Sequence, residues 1–256
     1  MDHYEKEDDE VHFEEPPLED FLPNEEDQLL ADRQKRRKSF VRKGVALCLA
    51  VALFISVIQI WPQVFNLSSI KFLQKSAELS KQEDIQKYKE AVVTIQDQYS
   101  KGTGFNISEN GLIITNNHVI EGMYPITVTF PNGELFKATI IKAEPDLDLA
   151  FLQITGDKLP HLSLSEPDLW RIQDHIYVIG NPLLHNQIVN EGALLEGSEK
   201  NGVLQLSAPI YKGNSGSPVI SVSGDVIGVV YAISTKDQIG LAIPIEKVID
   251  HLPEGY

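Results

Sequence analysis

The sequence contains a single cysteine among its 256 residues, Cys48, and that residue lies within an apolar run. One thiol cannot form an intramolecular disulfide, so the folded part of the chain depends on its core alone. A cysteine-based metal site is excluded for the same reason, and the seven histidines lack the close pairing of a zinc motif. We therefore expect neither a metal nor another cofactor.

Basic residues are also scarce, with 22 Lys and Arg against 37 Asp and Glu, which gives a formal net charge of -15. The charges are segregated, because residues 1–32 hold fourteen acidic residues and one lysine, whereas residues 33–43 hold seven Lys or Arg. The chain after that block is moderately acidic and has no basic stripe. Since nucleic-acid binding needs clustered Lys and Arg to neutralise phosphates, this composition argues against it.

The N-terminal region divides into a polar tail and an apolar run. Residues 1–43 are predicted to be an acidic, disordered tail that ends in the basic block. Residues 44–61, "GVALCLAVALFISVIQIW", are uncharged and long enough for a transmembrane helix. A cleaved signal peptide and a buried core helix are the alternatives, but the long acidic prefix and the missing polar face favour an anchor. The positive-inside rule then predicts a cytoplasmic N-terminus and an extracytoplasmic body in a single-pass cell membrane protein.

The amino-acid composition of the remaining chain changes at Ala91. Residues 62–90 are charged and rich in helix formers, with too few apolar positions for a strong stripe, and are predicted to be a stalk or linker. Residues 91–256 consist of short runs rich in Val, Ile, Phe and Thr separated by turn signals, which predicts an all-β barrel or sandwich. The segment "PIEKVIDHL" near the end repeats apolar residues on one helical face and predicts a closing helix.

The stretch "YKGNSGSP", residues 211–218, is consistent with either a tight turn or the loop of an activated nucleophile. A serine hydroxyl is a poor nucleophile at neutral pH unless an imidazole takes its proton and a third group orients that imidazole. The sequence offers His118 at the end of "GLIITNNHVI", Asp148 in "EPDLDLAFLQI" and Ser215 in the glycine-rich stretch. This order of His, Asp and Ser is that of chymotrypsin-type proteases.

Several motifs in the same order resemble the protease domain of HtrA (DegP-like) serine proteases, from about Ala91 to Pro244. They are "KGTGFNISENGLIITNNHVI", "EPDLDLAFLQI", "YVIGNP", "GNSGSPVI", "GDVIGVV" and "GLAIP". The resemblance implies a trypsin-like serine protease domain over residues 91–256. It would be an all-β, chymotrypsin-like double β-barrel with a C-terminal helix, preceded by the transmembrane helix.

The resemblance also implies roles for individual residues. His118 would take the proton of the Ser215 hydroxyl and return it to the leaving amine, while Asp148 would orient the imidazole. Asp148 is chosen over Asp146 because "LAFLQI" follows it. The backbone N–H groups of Gly213 and Ser215 would form the oxyanion hole. Asn214 stands where zymogens of chymotrypsin-like proteases carry an Asp. Without that acid, a salt bridge to a freshly cut N-terminus cannot form, so we do not expect activation by such cleavage.

Substrate preference is expected to be aliphatic. Pro209, followed by Ile210, stands where trypsin-type enzymes hold an acid, so no anionic pocket floor is expected. The segment Tyr231, Ala232 and Ile233 would pair its backbone with the substrate as an added strand. That mode of recognition reads extended backbone and suits unfolded polypeptides, so the expected activity is endoproteolysis in protein quality control or the stress response.

Two departures from the family matter for these expectations. Ser217 replaces the second glycine of the usual "GNSGGP", where the backbone angle could disfavour a side chain. The family commonly carries PDZ domains after the protease, whereas this chain stops at Tyr256 and is expected to lack one. Trimerisation through the protease domain stays open. The rival hypothesis is an inactive protease-like scaffold that binds peptides in its cleft.

Overall fold

The structure is a computed structural model that describes residues 25–64, 67–167, 169–182, 186–198, 202–234 and 239–256. The chain divides after Asn66 into two compact units. The first unit contains helix α1 (Glu25–Val64). A 24-residue part of α1, Arg33–Ser56, is long and apolar enough to cross a membrane by length and composition. Exposed apolar side chains such as Leu47 and Phe54 line it.

Helix α1 begins earlier than the sequence predicted. Residues 25–43 were expected to belong to a disordered tail, but the structure places them in α1 together with the apolar run. The helix formers of the basic block, Lys and Arg above all, favour this continuation once an apolar helix follows. Residues 1–24 lie outside the described part of the chain.

The second unit contains two antiparallel sheets. The described strands of the first sheet have the order β5-β4-β1-β2-β3-β7-β6. Their bounds are β1 (Val92–Gln96), β2 (Lys101–Asn106), β3 (Leu112–Thr115), β4 (Thr127–Thr129), β5 (Leu135–Lys137), β6 (Thr139–Glu144) and β7 (Leu149–Gln153). Strands β1, β3 and β7 are almost wholly buried, so their sequences are near-continuous apolar runs and not alternating ones.

The described strands of the second sheet have the order β10-β13-β12-β11-β8-β9. Their bounds are β8 (His175–Gly180), β9 (Ile188–Ala193), β10 (Leu204–Leu206), β11 (Pro218–Ser221), β12 (Val226–Ile233) and β13 (Gly240–Pro244). A bridge between Leu194 and Leu206 joins the end of β9 to β10, so the sheet curls back on itself. Each sheet encloses its own apolar cluster, and a third cluster that includes Phe105 and Val229 joins the two.

Short helices complete this unit. Helix α4 (Asn117–Ile120) follows β3, and helix α5 (Ile245–Ile249) starts directly after Pro244, as predicted for the closing segment. Ile245 and Val248 of α5 are buried against the sheets.

The predicted stalk is part of this same compact unit. Residues 62–90 were expected to form a stalk or linker, but α2 (Leu67–Leu79) and α3 (Glu83–Ala91) belong with the sheets. Leu79 and Ile85 are 2% and 1% exposed and join the cluster between the sheets. Residues 62–90 have few apolar positions because some of the α2 residues that face the sheets are polar. These polar residues form a hydrogen bond and an ion pair with strand β9.

Candidate functional site

His118 is held by two hydrogen bonds to one carboxylate. Its ring Nδ1 lies 2.6 Å from Asp148 Oδ2, and its backbone N–H donates to Asp148 Oδ1 over 2.9 Å. The hydrogen bond that the ring donates to Asp148 raises the pKa of His118 above its ordinary value, although partial burial opposes the shift. A ring whose Nδ1–H points at a carboxylate leaves Nε2 free to accept a proton.

Asp148 has a left-handed backbone conformation with φ of 53°. It follows a 3-10 turn at Pro145–Leu147, and its N–H closes that turn on the Pro145 carbonyl. The Asn116 side-chain amide donates to the Asp148 carbonyl over 2.8 Å. Asp is among the residues that tolerate this region, and strained conformations cluster at functional sites. The turn aims Asp148 at His118, while Asp146 stays exposed.

The loop of Ser215 consists of two consecutive turns. The Asn214 N–H donates to the Tyr211 carbonyl, and the Ser217 N–H donates to the Asn214 carbonyl. Each turn has a glycine with positive φ as its third residue, Gly213 at 100° and Gly216 at 82°. A Cβ on Gly216 would lie 2.0 Å from the Thr103 carbonyl oxygen, so this position also needs glycine for space. The stretch is thus a tight turn that presents a half-buried Ser215.

Thr103 of β2 fastens this loop to the first sheet. Its N–H donates to the Ser215 carbonyl over 3.2 Å, and its hydroxyl donates to the Gly213 carbonyl over 2.7 Å. The same hydroxyl accepts the Asn181 N–H over 2.9 Å. Thr103 is fully buried and was given no role in the sequence analysis. The sequence feature that could have pointed to Thr103 is the motif "KGTGF", in which a threonine is flanked by two glycines.

Two backbone donors of the loop have no partner in the part of the chain that the structure describes. Among the described residues, neither the Gly213 N–H nor the Ser215 N–H donates a hydrogen bond to the protein. Within the same part of the chain the Ser215 hydroxyl makes no hydrogen bond with His118. Catalytic hydrogen bonds are often long in unliganded sites and tighten when substrate binds. The arrangement therefore provides an oriented imidazole, a hydroxyl carried on a tight turn and two N–H groups that no described residue accepts.

Ser217 has an ordinary backbone conformation. The described non-glycine residues with positive φ do not include it, so the concern that this position disfavours a side chain is wrong. Its side chain is fully buried above Gly180, where an added Cβ would lie 2.1 Å from the Ser217 oxygen. That oxygen and both side-chain polar atoms of Asn214 are buried without a hydrogen-bond partner in the described structure.

The residues predicted to bind substrate lie on two segments beside this loop. Pro209 is exposed and Ile210 is half-buried against the apolar cluster of the second sheet. Tyr231, Ala232 and Ile233 form the half-buried end of β12, where the pairing with β13 shifts by one residue. Burial raises the pKa of Tyr231, and the charge of Asp148 adds to the rise, so this end of β12 lies near Asp148.

Comparisons with known proteins agree with this architecture. The family model described as a trypsin-like peptidase domain matches residues 102–229. A probable periplasmic serine endoprotease, DegP-like, from Chlamydia pneumoniae is 34% identical over 73% of this chain and 40% of its own length. Another from Chlamydia trachomatis is 37% identical over 59% of this chain and 33% of its own length. The chain thus spans well under half the length of these relatives.

Solved structures show the same fold. A serine endoprotease from Yersinia pestis matches with a TM-score of 0.61 and 29% identity, over 65% of this chain and 63% of its own. The HtrA-type protease AlgW, solved with a tripeptide, matches with a TM-score of 0.61 and 30% identity, over 65% of this chain and 60% of its own. The predicted chymotrypsin-like double barrel with its C-terminal helix is confirmed, as is the resemblance to HtrA proteases.

Proposed function

The chain belongs to the trypsin-like peptidase family, and on that premise we propose that it is a serine endopeptidase with Ser215 as nucleophile. The observation that carries the proposal is the double hydrogen bond between His118 and Asp148. A carboxylate that fixes both the ring and the main chain of one histidine selects the tautomer that a general base requires. A scaffold that only binds peptides has no need of that constraint.

The proposed reaction starts with attack by the Ser215 oxygen on a peptide carbonyl carbon, while His118 Nε2 takes the hydroxyl proton. The negative charge that develops on the carbonyl oxygen is stabilised by the N–H groups of Gly213 and Ser215. His118 then gives its proton to the leaving amine, and the C–N bond breaks. Water, activated by the same imidazole, releases the acyl group from Ser215.

The proposed substrates are unfolded polypeptides with aliphatic side chains before the cleaved bond. Ile210 packs against the apolar cluster of the second sheet, which suits an aliphatic side chain better than a basic one. The end of β12, from Tyr231 to Ile233, would pair with extended substrate backbone. Because such pairing reads main chain more than sequence, it favours chains that have lost their fold.

We further propose that α1 anchors the protease domain to a membrane and that this domain is extracytoplasmic. The length and composition of Arg33–Ser56 support the anchor, and the basic residues at its N-terminal end support the orientation. Single cysteines at Gln34 and Tyr99 in a Cys48→Ala chain test both points in sealed vesicles. A membrane-impermeant maleimide should label the two positions from opposite sides, and labelling from the same side would contradict the orientation.

Digestion of an unfolded protein tests the activity directly. The full chain should cleave reduced, carboxymethylated protein after aliphatic residues, as mapped by mass spectrometry. Ser215→Ala should abolish every such cleavage, and Ser223→Ala, a change on an exposed turn, should leave the pattern intact. Cleavage that persists in Ser215→Ala would assign the activity to another protein, and an intact substrate with wild type would favour the scaffold.

A further inference from the structure

Helix α2 covers the open edge of strand β9. Strand β8 pairs with β9 on one side, and the Val189 N–H is bonded outside that pairing. The Ser76 hydroxyl of α2 accepts this N–H over 2.9 Å. Ser76 is 4% exposed, so the contact is shielded from water. An edge N–H that is buried without a partner is destabilising, so the bond to Ser76 gives α2 a defined place on the edge.

Further contacts fix the position of α2 along the strand. Lys75 forms an ion pair with Glu191 of β9 at 2.9 Å. Leu79, one turn from Ser76, is buried in the cluster between the sheets. Residues 72, 75, 76 and 79 follow the spacing of one helical face, so that face is engaged from residue 72 to residue 79. Helix α2 is therefore docked on strand β9 in a defined position.

The N-terminal end of the same face contacts the loop of Ser215. The Phe72 and Tyr211 rings meet edge to face with centroids 4.7 Å apart. Tyr211 begins the first turn of that loop, because its carbonyl accepts the Asn214 N–H. Two residues earlier, the Pro209 carbonyl accepts the Asn190 side-chain amide over 2.8 Å. Phe72, Lys75, Glu191, Pro209 and Tyr211 thereby line a common cavity of about 400 Å³.

We propose that α2 is a positioning element of the nucleophile loop, acting through the contact of Phe72 with Tyr211. The ring contact fixes Tyr211, which is the first residue of the turn that contains Gly213. That turn sets the direction of the Gly213 N–H. Loss of the contact lets the turn relax, so the oxyanion donor is misaligned while the substrate-binding segments stay in place. Phe72 and Tyr211 are positioning residues, since neither touches the reacting atoms. The inference rests on the proposed endopeptidase activity.

Phe72→Ala in the full chain tests this inference. We expect kcat for an aliphatic peptide substrate to fall about tenfold with KM unchanged, because a fully lost oxyanion donor costs 10²–10³. Phe72→Trp should restore most of kcat, since it keeps an aromatic edge. Phe136→Ala is the matched control, because it removes another edge-to-face pair, with Phe130, in the first sheet. It should lower the thermal midpoint without changing kcat.

A double-mutant cycle completes the test. Phe72→Ala combined with Tyr211→Ala should be no slower than the slower single variant, because both remove the same contact. Unchanged kcat in Phe72→Ala, or equal losses of kcat in Phe72→Ala and Phe136→Ala, would overturn the inference while wild-type activity stands. Absent cleavage by wild type would instead refute the proposed function.

Discussion

The Asp148 carboxylate binds His118 twice, through the ring Nδ1 at 2.6 Å and through the backbone N–H at 2.9 Å. The two bonds leave the imidazole little freedom to turn, and they place its second nitrogen away from the carboxylate. This pairing links a turn before β7 to the short helix after β3, so the first sheet alone builds it. The second sheet contributes the loop of Ser215, which Thr103 fastens against β2.

Asp148→Asn should lower kcat about 10⁴-fold, because an amide in this position favours the wrong imidazole tautomer. Asn tolerates left-handed φ at least as well as Asp, so the turn should persist and the thermal midpoint should change little. Steady-state kinetics and thermal unfolding measure the two effects. Asp146→Asn, on the exposed neighbouring carboxylate, serves as the control and should keep full activity.

The fall of kcat/KM at acid pH should have its midpoint above the ordinary pKa of histidine. The hydrogen bond to Asp148 raises the pKa of His118, and a general base must be neutral, so kcat/KM should fall as pH drops through a value above 6.5. The same raised pKa contributes stability that is complete below 6.5 and is lost as pH rises through the folded-state pKa. In Asp148→Asn, the acid limb of the residual kcat/KM should lie at lower pH than in wild type. An unshifted limb in that variant would contradict the assignment.

Thr103→Val should weaken the loop of Ser215. The substitution is close in shape but removes the hydroxyl that donates to Gly213 and accepts from Asn181. Leaving the buried Asn181 N–H unpaired should cost about 1–3 kcal/mol in the free energy of unfolding. We also expect kcat to fall, since the Gly213 carbonyl loses its anchor. Thr103→Ser keeps the hydroxyl and should retain kcat, as measured by urea unfolding and steady-state kinetics.

Gly180 and Ser217 should behave as a coupled pair. A Cβ at position 180 would meet the Ser217 oxygen at 2.1 Å, so Gly180→Ala should destabilise the protein by about 1–3 kcal/mol. Ser217→Gly empties that space and should rescue much of the loss in the double variant. Urea unfolding of the four proteins measures the coupling. Strict additivity of the two substitutions would show that the side chains do not share this space.

The fold could be predicted largely from the sequence because short apolar strands and turn signals are local features. The resemblance of the motifs around His118, Asp148 and Ser215 to those of HtrA proteases then implied the double-barrel topology. The catalytic and substrate-binding roles of these residues remain predictions that the geometry supports.

Other features could not be predicted because they depend on contacts distant in sequence. Docking of α2 uses Ser76 and Lys75, which a search for apolar periodicity passes over. Thr103 gains its importance from a loop more than a hundred residues away. The space for Ser217 is set by Gly180 on a neighbouring strand, so the loop sequence alone suggested a strain that is not there.

The most direct measurement of the central claim is the mass of the intact protein after reaction with a fluorophosphonate in the presence of an unfolded substrate. We expect one adduct, located on Ser215 by peptide mapping, that is absent in Ser215→Ala and much slower to form in His118→Ala. An unlabelled wild type, or an adduct that survives in Ser215→Ala, would contradict it.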